Sequence, residues 1–292
     1  MIWRTSKRDI ELDHVLVMGI INATPDSFSD GGVAFTFDDA LRHADKLISE
    51  GADIIDIGGE STRPGSRRVS AEEEISRVVP AIAEIAKRFD IPISIDTSKS
   101  EVARAAIQAG AEIVNDISGL RFDDRLADVA ARNSTGLILM HSRGDFEAMH
   151  QLEPVEDIFA EVSADFHRST ALAEERGVRA ENIVLDVGIG FGKSVDQNLQ
   201  LVAGLQRLVD EFSAYPLLVG ASRKSFLGKV LGERLVDKRL AASLAAAAIA
   251  VWNGARILRV HDVRETVDVV KVVEALMRSG SRTSVNNRDE LW

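Results

Sequence analysis

Short apolar runs alternate with longer amphipathic stretches along most of the chain. There are eight runs, each bounded by Gly, Asp or Asn, at residues 15–22, 53–58, 91–96, 113–116, 136–141, 182–186, 216–220 and 256–260. They contain few polar residues, which is typical of parallel strands covered on both faces. Between the runs, apolar residues recur at spacings of three and four, the pattern of amphipathic helices. Eight such units predict an α/β fold, a TIM (β/α)8 barrel.

A doubly wound open sheet is the rival architecture, and its usual signature is GxGxxG directly after the first strand. Here the first run leads instead into a loop of different sequence, and the glycine-rich stretch 188–192 follows the sixth run without the Gly-Lys-Ser/Thr of a phosphate loop. We therefore expect a single barrel domain over residues 15–278. A lead-in, 1–14, precedes it, and a polar tail, 279–292, follows and is expected to be disordered.

Composition and charge limit the partners of the chain. Its 292 residues include 35 Lys and Arg against 46 Asp and Glu, and they contain no Cys. An acidic balance argues against non-specific binding to nucleic acid or anionic membranes, and without cysteine there is no disulfide or thiolate nucleophile. Residues 1–13 lack the apolar core of a signal peptide, and the longest apolar run, 240–252, is shorter than the roughly 20 residues of a membrane span. We expect a cytoplasmic protein that binds neither nucleic acid nor membrane.

Polar side chains stand at the carboxyl end of nearly every predicted strand, the face that carries the active site in barrels of this kind. They are Asn22, the loop 58–65, Asp96, Asn115 with Asp116, His141, Asp186, Ser222 with Arg223 and Lys224, and Arg259 with His261. Any single aspartate here could simply cap the following helix, and an arginine could form a surface salt bridge. The regular placement of the whole set favours a binding site.

The set divides into two adjoining pockets. The first comprises Asp96, Asn115, Asp186 and Lys224. Two acceptors, an amide and a cation complement a flat heterocycle that carries an amino group, a ring N–H and a carbonyl. The second comprises Arg63, Arg259, His261 and Asn22, which suit phosphate oxygens or a metal-bound diphosphate. Two long loops, 24–36 and 58–69, are expected to close over the substrate. The residues alone indicate a barrel enzyme acting on a phosphorylated heterocycle.

Seven ordered motifs together resemble those of the dihydropteroate synthase family. They are NATPDSFSDGG (22–32), GGESTRPG (58–65), IDT (95–97) with Lys99, NDISG (115–119), GIGFGK (188–193), SRKSF (222–226) and RVHDV (259–263). The resemblance implies a TIM barrel that joins 6-hydroxymethyl-7,8-dihydropterin diphosphate to p-aminobenzoate, giving 7,8-dihydropteroate and diphosphate in folate biosynthesis. It also implies Mg²⁺ as cofactor, a homodimer, and sulfonamides as mimics of p-aminobenzoate.

The resemblance further implies roles for individual residues. It places the pterin on Asp96, Asn115, Asp186 and Lys224. It places Asn22 beside Mg²⁺ and the diphosphate, whose oxygens would contact Arg63, Arg259 and His261. The surroundings of p-aminobenzoate would be Phe28, Thr62, Pro64, Phe191 and Ser225. Asp30 resembles the family's cation-stabilising carboxylate, so the expected catalytic residues are Asp30, Asp96, Lys224, Arg259 and His261.

An arylamine is a weak nucleophile, so we expect diphosphate to depart first and leave a carbocation stabilised by the pterin. Two positions depart from the family pattern: Val187 replaces Pro in Asp-Pro-Gly, and Ser142 replaces Met in Met-His-Met-Arg-Gly. Neither is assigned to chemistry, and His141 is interpreted as a strand-end histidine bonded to backbone. Two alternatives stay open, a non-catalytic pterin-binding paralogue and a pterin-dependent methyltransferase, although the latter has no use for a diphosphate site.

Overall fold

Eight parallel strands close into a barrel in the computed structural model of the chain, which describes residues 1–23, 37–62, 66–146 and 152–286. The strands are β1 (Ile2–Arg4), β2 (Asp9–Glu11), β3 (Leu16–Asn22), β4 (Ile54–Gly58), β5 (Ile93–Asp96), β6 (Ile113–Asp116), β7 (Gly136–Met140), β8 (Ile183–Asp186), β9 (Leu217–Val219) and β10 (Ile257–Val260). The barrel runs in chain order from β3 to β10, and β10 pairs with β3 to close it. The predicted TIM barrel is therefore confirmed.

Helices connect the strands and cover the outside of the barrel. They are α1 (Phe37–Ser49), α2 (Ala71–Arg88), α3 (Ser100–Ala109), α4 (Arg125–Asn133), α5 (Ile158–Glu175), α6 (Val195–Ala203), α7 (Gln206–Glu211), α8 (Ser225–Val230), α9 (Leu240–Trp252) and α10 (Val263–Asn286). Ser70 caps α2, since its Oγ accepts from the Glu73 amide at 3.2 Å. The Glu73 carboxylate pairs with Arg77 one turn later, at 2.5 Å.

Side chains fill the inside of the barrel towards its amino end. This inner cluster is formed by Leu16, Met18, Ile54, Ile113, Ile138, Val184, Leu218 and Ile257, together with Trp3 and Leu12. Alternate strand residues point outward, because successive side chains of a strand lie on opposite faces, and they pack against the helices. The barrel is thus a solid core at this end, and polar groups occur at the opposite mouth.

The N-terminal lead-in forms an antiparallel hairpin, β1 with β2, that closes the amino end of the barrel. Trp3 is fully buried in the inner cluster, and its indole N–H donates to the Asn182 carbonyl at 2.9 Å. The first residue of β7, Gly136, lies so close that a Cβ there would be 3.0 Å from the indole ring. The hairpin therefore acts as a plug.

The last helix continues into the segment that the sequence assigns to a polar tail. Because α10 spans Val263–Asn286, residues 279–286 continue the helix beyond the predicted end of the domain at residue 278. This stretch is polar but contains no proline, and its one glycine, Gly280, weakens a helix without ending it. No helix within the described ranges is both long and apolar enough to cross a membrane.

Candidate active site

An arginine at the barrel mouth pairs with two neighbouring carboxylates, and an amide side chain bonds to one of them. Arg259 of β10 donates from Nε to Asp56 Oδ2 at 2.5 Å and from Nη2 to Asp96 Oδ2. Asn115 of β6 donates from Nδ2 to the same Asp56 oxygen at 3.2 Å. Burial opposes the charge on Arg259, but Asp56 and Asp96 outweigh it and raise the pKa of the guanidinium. This ion cluster holds β4, β5, β6 and β10 in one arrangement.

Sequence reasoning did not select Asp56, although it is central to this cluster. The side chain is completely buried in the middle of β4, two residues before the strand ends. A carboxylate inside an otherwise apolar strand is costly unless it is paired, and that is the signal that was available in the sequence. The search for polar residues at strand ends passed over it.

Lys224 and Asp186 lie on the opposite side of the mouth. Asp186 ends β8, and its Oδ1 accepts from the Gly188 amide at 2.8 Å. Lys224 Nζ donates to the Ile189 carbonyl at 2.5 Å and lies 4.0 Å from the centre of the Phe191 ring. The structure therefore brings the predicted residues Lys224 and Phe191 into contact.

Desolvation governs the charges in this pocket. It raises the pKa of Asp96 to about 7 against the opposing effect of Arg259, and it also raises the pKa of Asp186. It lowers the pKa of Lys224 to about 7, although Asp186 favours the charged ammonium. Groups that titrate near neutral pH inside a concave site are typical of functional residues.

An apolar wall stands beside these polar groups. Ile117, Met140, Phe146 and Phe191 form a small buried cluster above the barrel, and Phe122 packs against it. Ile117 follows Asn115 by two residues, and Met140 ends β7 next to Asp186. This arrangement suits a flat ring with polar edges. The wall would cover the face of the ring, and the ion cluster would form hydrogen bonds with its edge.

The predicted diphosphate residues lie at the adjacent part of the mouth. Asn22 is the last residue of β3, and His261 follows β10 directly. Ser222, beyond β9, lies 3.1 Å from His261 Nδ1 through its Oγ and accepts from the His261 amide at 3.2 Å. The next residue, Arg223, has a φ of 58° and donates to Asp262 from Nε at 3.0 Å. This turn sets the direction of Lys224.

Both ends of the second predicted lid loop are anchored. Glu60 Oε1 accepts from the Val69 amide at 2.7 Å and from Lys99 Nζ at 2.9 Å, and the same Nζ donates to the buried Glu74 at 2.5 Å. The Arg68 guanidinium lies over the rings of Phe122 and Phe146, 5.2 and 5.0 Å from their centres.

Four predicted site residues, Phe28, Asp30, Arg63 and Pro64, lie outside the described residues. Thr62 is partly exposed within the second loop, and Ser225 is exposed at the start of α8. Together with the residues above, they place every described member of the predicted set at one face of the barrel.

The two departures from the family pattern are both accommodated. The Val187 amide donates to the Leu218 carbonyl at 3.4 Å, a bond that proline could not make. Ser142 Oγ accepts from Arg121 Nη2 at 2.7 Å. The His141 amide donates to the Asp186 carbonyl at 2.9 Å, while desolvation lowers the pKa of its ring well below the usual value. The ring Nδ1 of His141 is buried without a hydrogen-bond partner among the described residues, so the interpretation of His141 as a side chain bonded to backbone stays a prediction.

Fold and site together define a (β/α)8-barrel enzyme whose mouth combines an ion cluster, a wall for a flat ring and a polar rim. The sequence profile of the pterin binding enzyme family matches residues 18–261. Dihydropteroate synthase of Escherichia coli strain K12 is 47% identical over 270 residues, which cover 92% of this chain and 94% of the relative.

Solved structures agree with this match. Yersinia pestis dihydropteroate synthase in a sulfonamide drug complex superposes with a TM-score of 0.90 at 41% identity, covering 95% of this chain and 100% of the other. The Xanthomonas albilineans enzyme with 4-aminobenzoic acid gives a TM-score of 0.88 at 42% identity, covering 94% and 98%. The chain belongs to the pterin binding enzyme family and, within it, to the dihydropteroate synthases.

Proposed function

We propose that the chain condenses 6-hydroxymethyl-7,8-dihydropterin diphosphate with p-aminobenzoate, giving 7,8-dihydropteroate and diphosphate. The observation that carries the proposal is the Asp56–Arg259–Asp96 cluster facing Lys224 and Asp186 across one barrel mouth. The Xanthomonas albilineans relative with 4-aminobenzoic acid and the sulfonamide drug complex from Yersinia pestis support an arylamine site in this chain. We extend the sulfonamide binding to this chain.

The pterin would lie between the ion cluster and the apolar wall, against Ile117, Met140 and Phe146, with Phe191 at the end of the wall that faces the arylamine. Carboxylates at Asp96 and Asp186 would accept from its amino group and ring N–H, and Asn115 and Lys224 would complete the polar edge. Because Arg259 holds Asp96, the acceptor is fixed before the ligand arrives. An analogue that lacks a matching donor would leave a buried carboxylate unpaired, which costs about 1–3 kcal/mol.

The diphosphate would lie at the polar rim on Asn22, His261 and Arg63, with Arg259 at the boundary between the two groups. No set of three His, Asp or Glu side chains in the described parts of the chain is placed to hold a metal ion. Mg²⁺ is commonly held by one or two protein oxygens, water and substrate phosphates, so the amide oxygen of Asn22 at the end of β3 fits that role. The ion would neutralise charge on the departing diphosphate.

The arylamine would approach over Phe191 and Lys224, with Thr62, Ser225, Phe28 and Pro64 around it. Departure of diphosphate leaves a pterinylmethyl carbocation, the arylamine nitrogen forms the new C–N bond, and its proton is lost. Asp96 and Asp186, with Asp30, would stabilise the positive charge. Excluding water matters because water would otherwise capture the cation.

The decisive experiment follows diphosphate release and dihydropteroate formation by the purified protein with Mg²⁺ and the pterin diphosphate, with and without p-aminobenzoate. Release coupled to dihydropteroate is the expected result, and Asp96→Asn serves as a control with the same fold and an altered pocket. Pterin binding without product would instead favour the non-catalytic paralogue. Methyl transfer from a methylated pterin would favour the methyltransferase.

We also propose that the chain is a cytoplasmic homodimer. Ile249 and Trp252 of α9 and Val272 and Leu276 of α10 are between 48% and 60% exposed, although both helices are otherwise packed against each other. Large apolar side chains on two adjoining helices favour a self-complementary contact between two copies of the chain.

A further inference from the structure

Lys193 is a lysine beside the site that the proposed reaction does not use. It ends the loop 188–193 between β8 and α6, and its Nζ donates to three backbone carbonyls. The distances are 2.7 Å to Gly188, 3.1 Å to Phe191 and 3.3 Å to His141. An ammonium group has three donors and no acceptor, so these carbonyls satisfy it completely. Lys193 thus joins both ends of the loop to the end of β7.

The loop can follow this path only with glycine at its first position. Gly188 has a φ of 63°, and a Cβ there would lie 1.8 Å from the His141 carbonyl oxygen. The loop amides are also bonded: Gly188 donates to Asp186 at 2.8 Å and Gly190 donates to Asn198 at 2.6 Å. Hydrogen bonds to both the carbonyl and the amide groups of the loop therefore hold it in place.

The charge of Lys193 is set by groups from several elements. Desolvation lowers its pKa well below that of a free lysine, while Asp186 and Asp165 favour the ammonium and Lys224 and Arg143 oppose it. Charge-assisted hydrogen bonds to three carbonyls stabilise the protonated form, because a neutral amine would turn a lone pair towards one of the carbonyl oxygens.

The loop held by Lys193 carries Phe191, and the centre of its ring lies 4.0 Å from Lys224 Nζ. We infer that Lys193 is a positioning residue for the arylamine end of the site: it holds the loop so that Phe191 stays against Lys224. The inference deepens the proposed function and rests on it for the identity of the ligand. Lys193 itself does not touch the reacting atoms.

The first test measures the loop itself and needs no substrate. Hydrogen exchange followed by mass spectrometry is compared for the wild-type chain, Lys193→Met, and the control Lys87→Met, which alters an exposed lysine on α2. We expect peptides covering 188–192 to exchange at least about tenfold faster in Lys193→Met alone. Lys193→Arg keeps a cation with several donors and should retain more protection. Unchanged exchange in Lys193→Met would overturn the inference.

The second test is a double-mutant cycle with Phe191→Leu. In the wild-type background, Lys193→Met should raise the KM for p-aminobenzoate about tenfold and change the KM for the pterin diphosphate less than about twofold. In the Phe191→Leu background it should add less than about a further twofold, because both changes act through one ring. Additive effects, or equal loss for both substrates, would show general structural damage. If the wild-type chain forms no dihydropteroate, the proposed function fails, and the exchange result still decides the role of Lys193 in the loop.

Discussion

Asp56 shows how one buried side chain can organise the chemistry of a whole site. Its Oδ2 accepts from both Arg259 and Asn115, residues that come from strands β10 and β6. An unpaired charge in such a place costs several kcal/mol, so each partner depends on the other for its own stability. The positions of the side chains that we propose to bind the pterin therefore depend on the buried carboxylate of Asp56.

We predict that Asp56→Asn lowers kcat/KM for the pterin diphosphate by about tenfold or more, since an amide cannot balance the charge of Arg259. Steady-state kinetics check this prediction. Asp90→Asn is the matched control, because its side chain is 94% exposed and pairs with Arg8 away from the mouth. A wild-type kcat/KM in Asp56→Asn would contradict the role given to the cluster.

The pKa values of Asp96 and Lys224 predict a pH profile. Below a pH of about 7, Asp96 gains a proton and accepts from the pterin without the help of a negative charge, and above a pH of about 7, Lys224 loses its positive charge. We expect kcat/KM to be highest near neutral pH and to fall on both sides. Residual activity should lose its acid limb in Asp96→Asn and its alkaline limb in Lys224→Met. A flat profile from pH 5 to 9 would count against both assignments.

At the level of elements, loops and terminal strands complete what the barrel strands begin. The second loop is tied down at both of its described ends, by Glu60 to Val69 and by Arg68 over two aromatic rings. Those rings, Phe122 and Phe146, belong to the wall proposed for the pterin. The position of Arg68 at the described end of this loop and the shape of the wall are therefore linked.

Arg68→Ala should loosen this loop. Arg68 is exposed, and a cation–π contact at an exposed site is worth about 0.5–1 kcal/mol. Because Arg68 makes two such contacts, we expect a several-fold rise in the KM for p-aminobenzoate and more diphosphate released without dihydropteroate. The quantity to measure is the ratio of diphosphate released to dihydropteroate formed. Arg67→Ala provides the control, since Arg67 is exposed beside it in the same loop. The same ratio in both variants would rule out that Arg68 anchors the second loop.

The hairpin predicts an effect on stability rather than on chemistry. Trp3→Ala removes the buried plug and should lower the free energy of unfolding by about 3–5 kcal/mol, as for other large-to-small changes in a core. Urea denaturation measures this effect. Ile2→Ala, an exposed neighbour on the same strand, should change it by less than about 0.5 kcal/mol. Similar losses in both variants would mean that the hairpin does not seal the barrel.

Across the whole molecule, the sequence predicted the barrel well because buried parallel strands give apolar runs whose ends are marked by polar residues. Asp96, Asn115, Asp186, Lys224 and Arg259 were selected in this way. Asp56 was missed because it lies within a run, and the plug was missed because β1 and β2 have three residues each, too few for a period to show. Contacts such as Arg259 with Asp56 join residues about 200 positions apart, which no local pattern can indicate.

The proposed dimer predicts a change in assembly. Replacing Trp252 by Glu would place a charge in the apolar face of α9 and should shift the chain from dimer to monomer in sedimentation velocity. The control Arg256→Glu introduces the same acidic residue at an exposed position just after the helix and should leave the dimer intact. A wild-type chain that sediments as a monomer would refute the proposal.

The plugged amino end restricts how ligands can enter the part of the barrel that the structure describes. Among the described residues, Trp3 and the inner cluster fill the centre of the barrel at its amino end, so we expect a ligand to reach Asp56 and Asp96 through the rim near His261 and Phe191. A ligand bound deep in a site that opens at one end has to bind before a ligand that occupies the outer part of the site, and it can dissociate only after that ligand. The pterin should therefore bind first and dissociate last. Bound pterin should exchange slowly with free pterin whenever an arylamine or a sulfonamide occupies the outer part of the site.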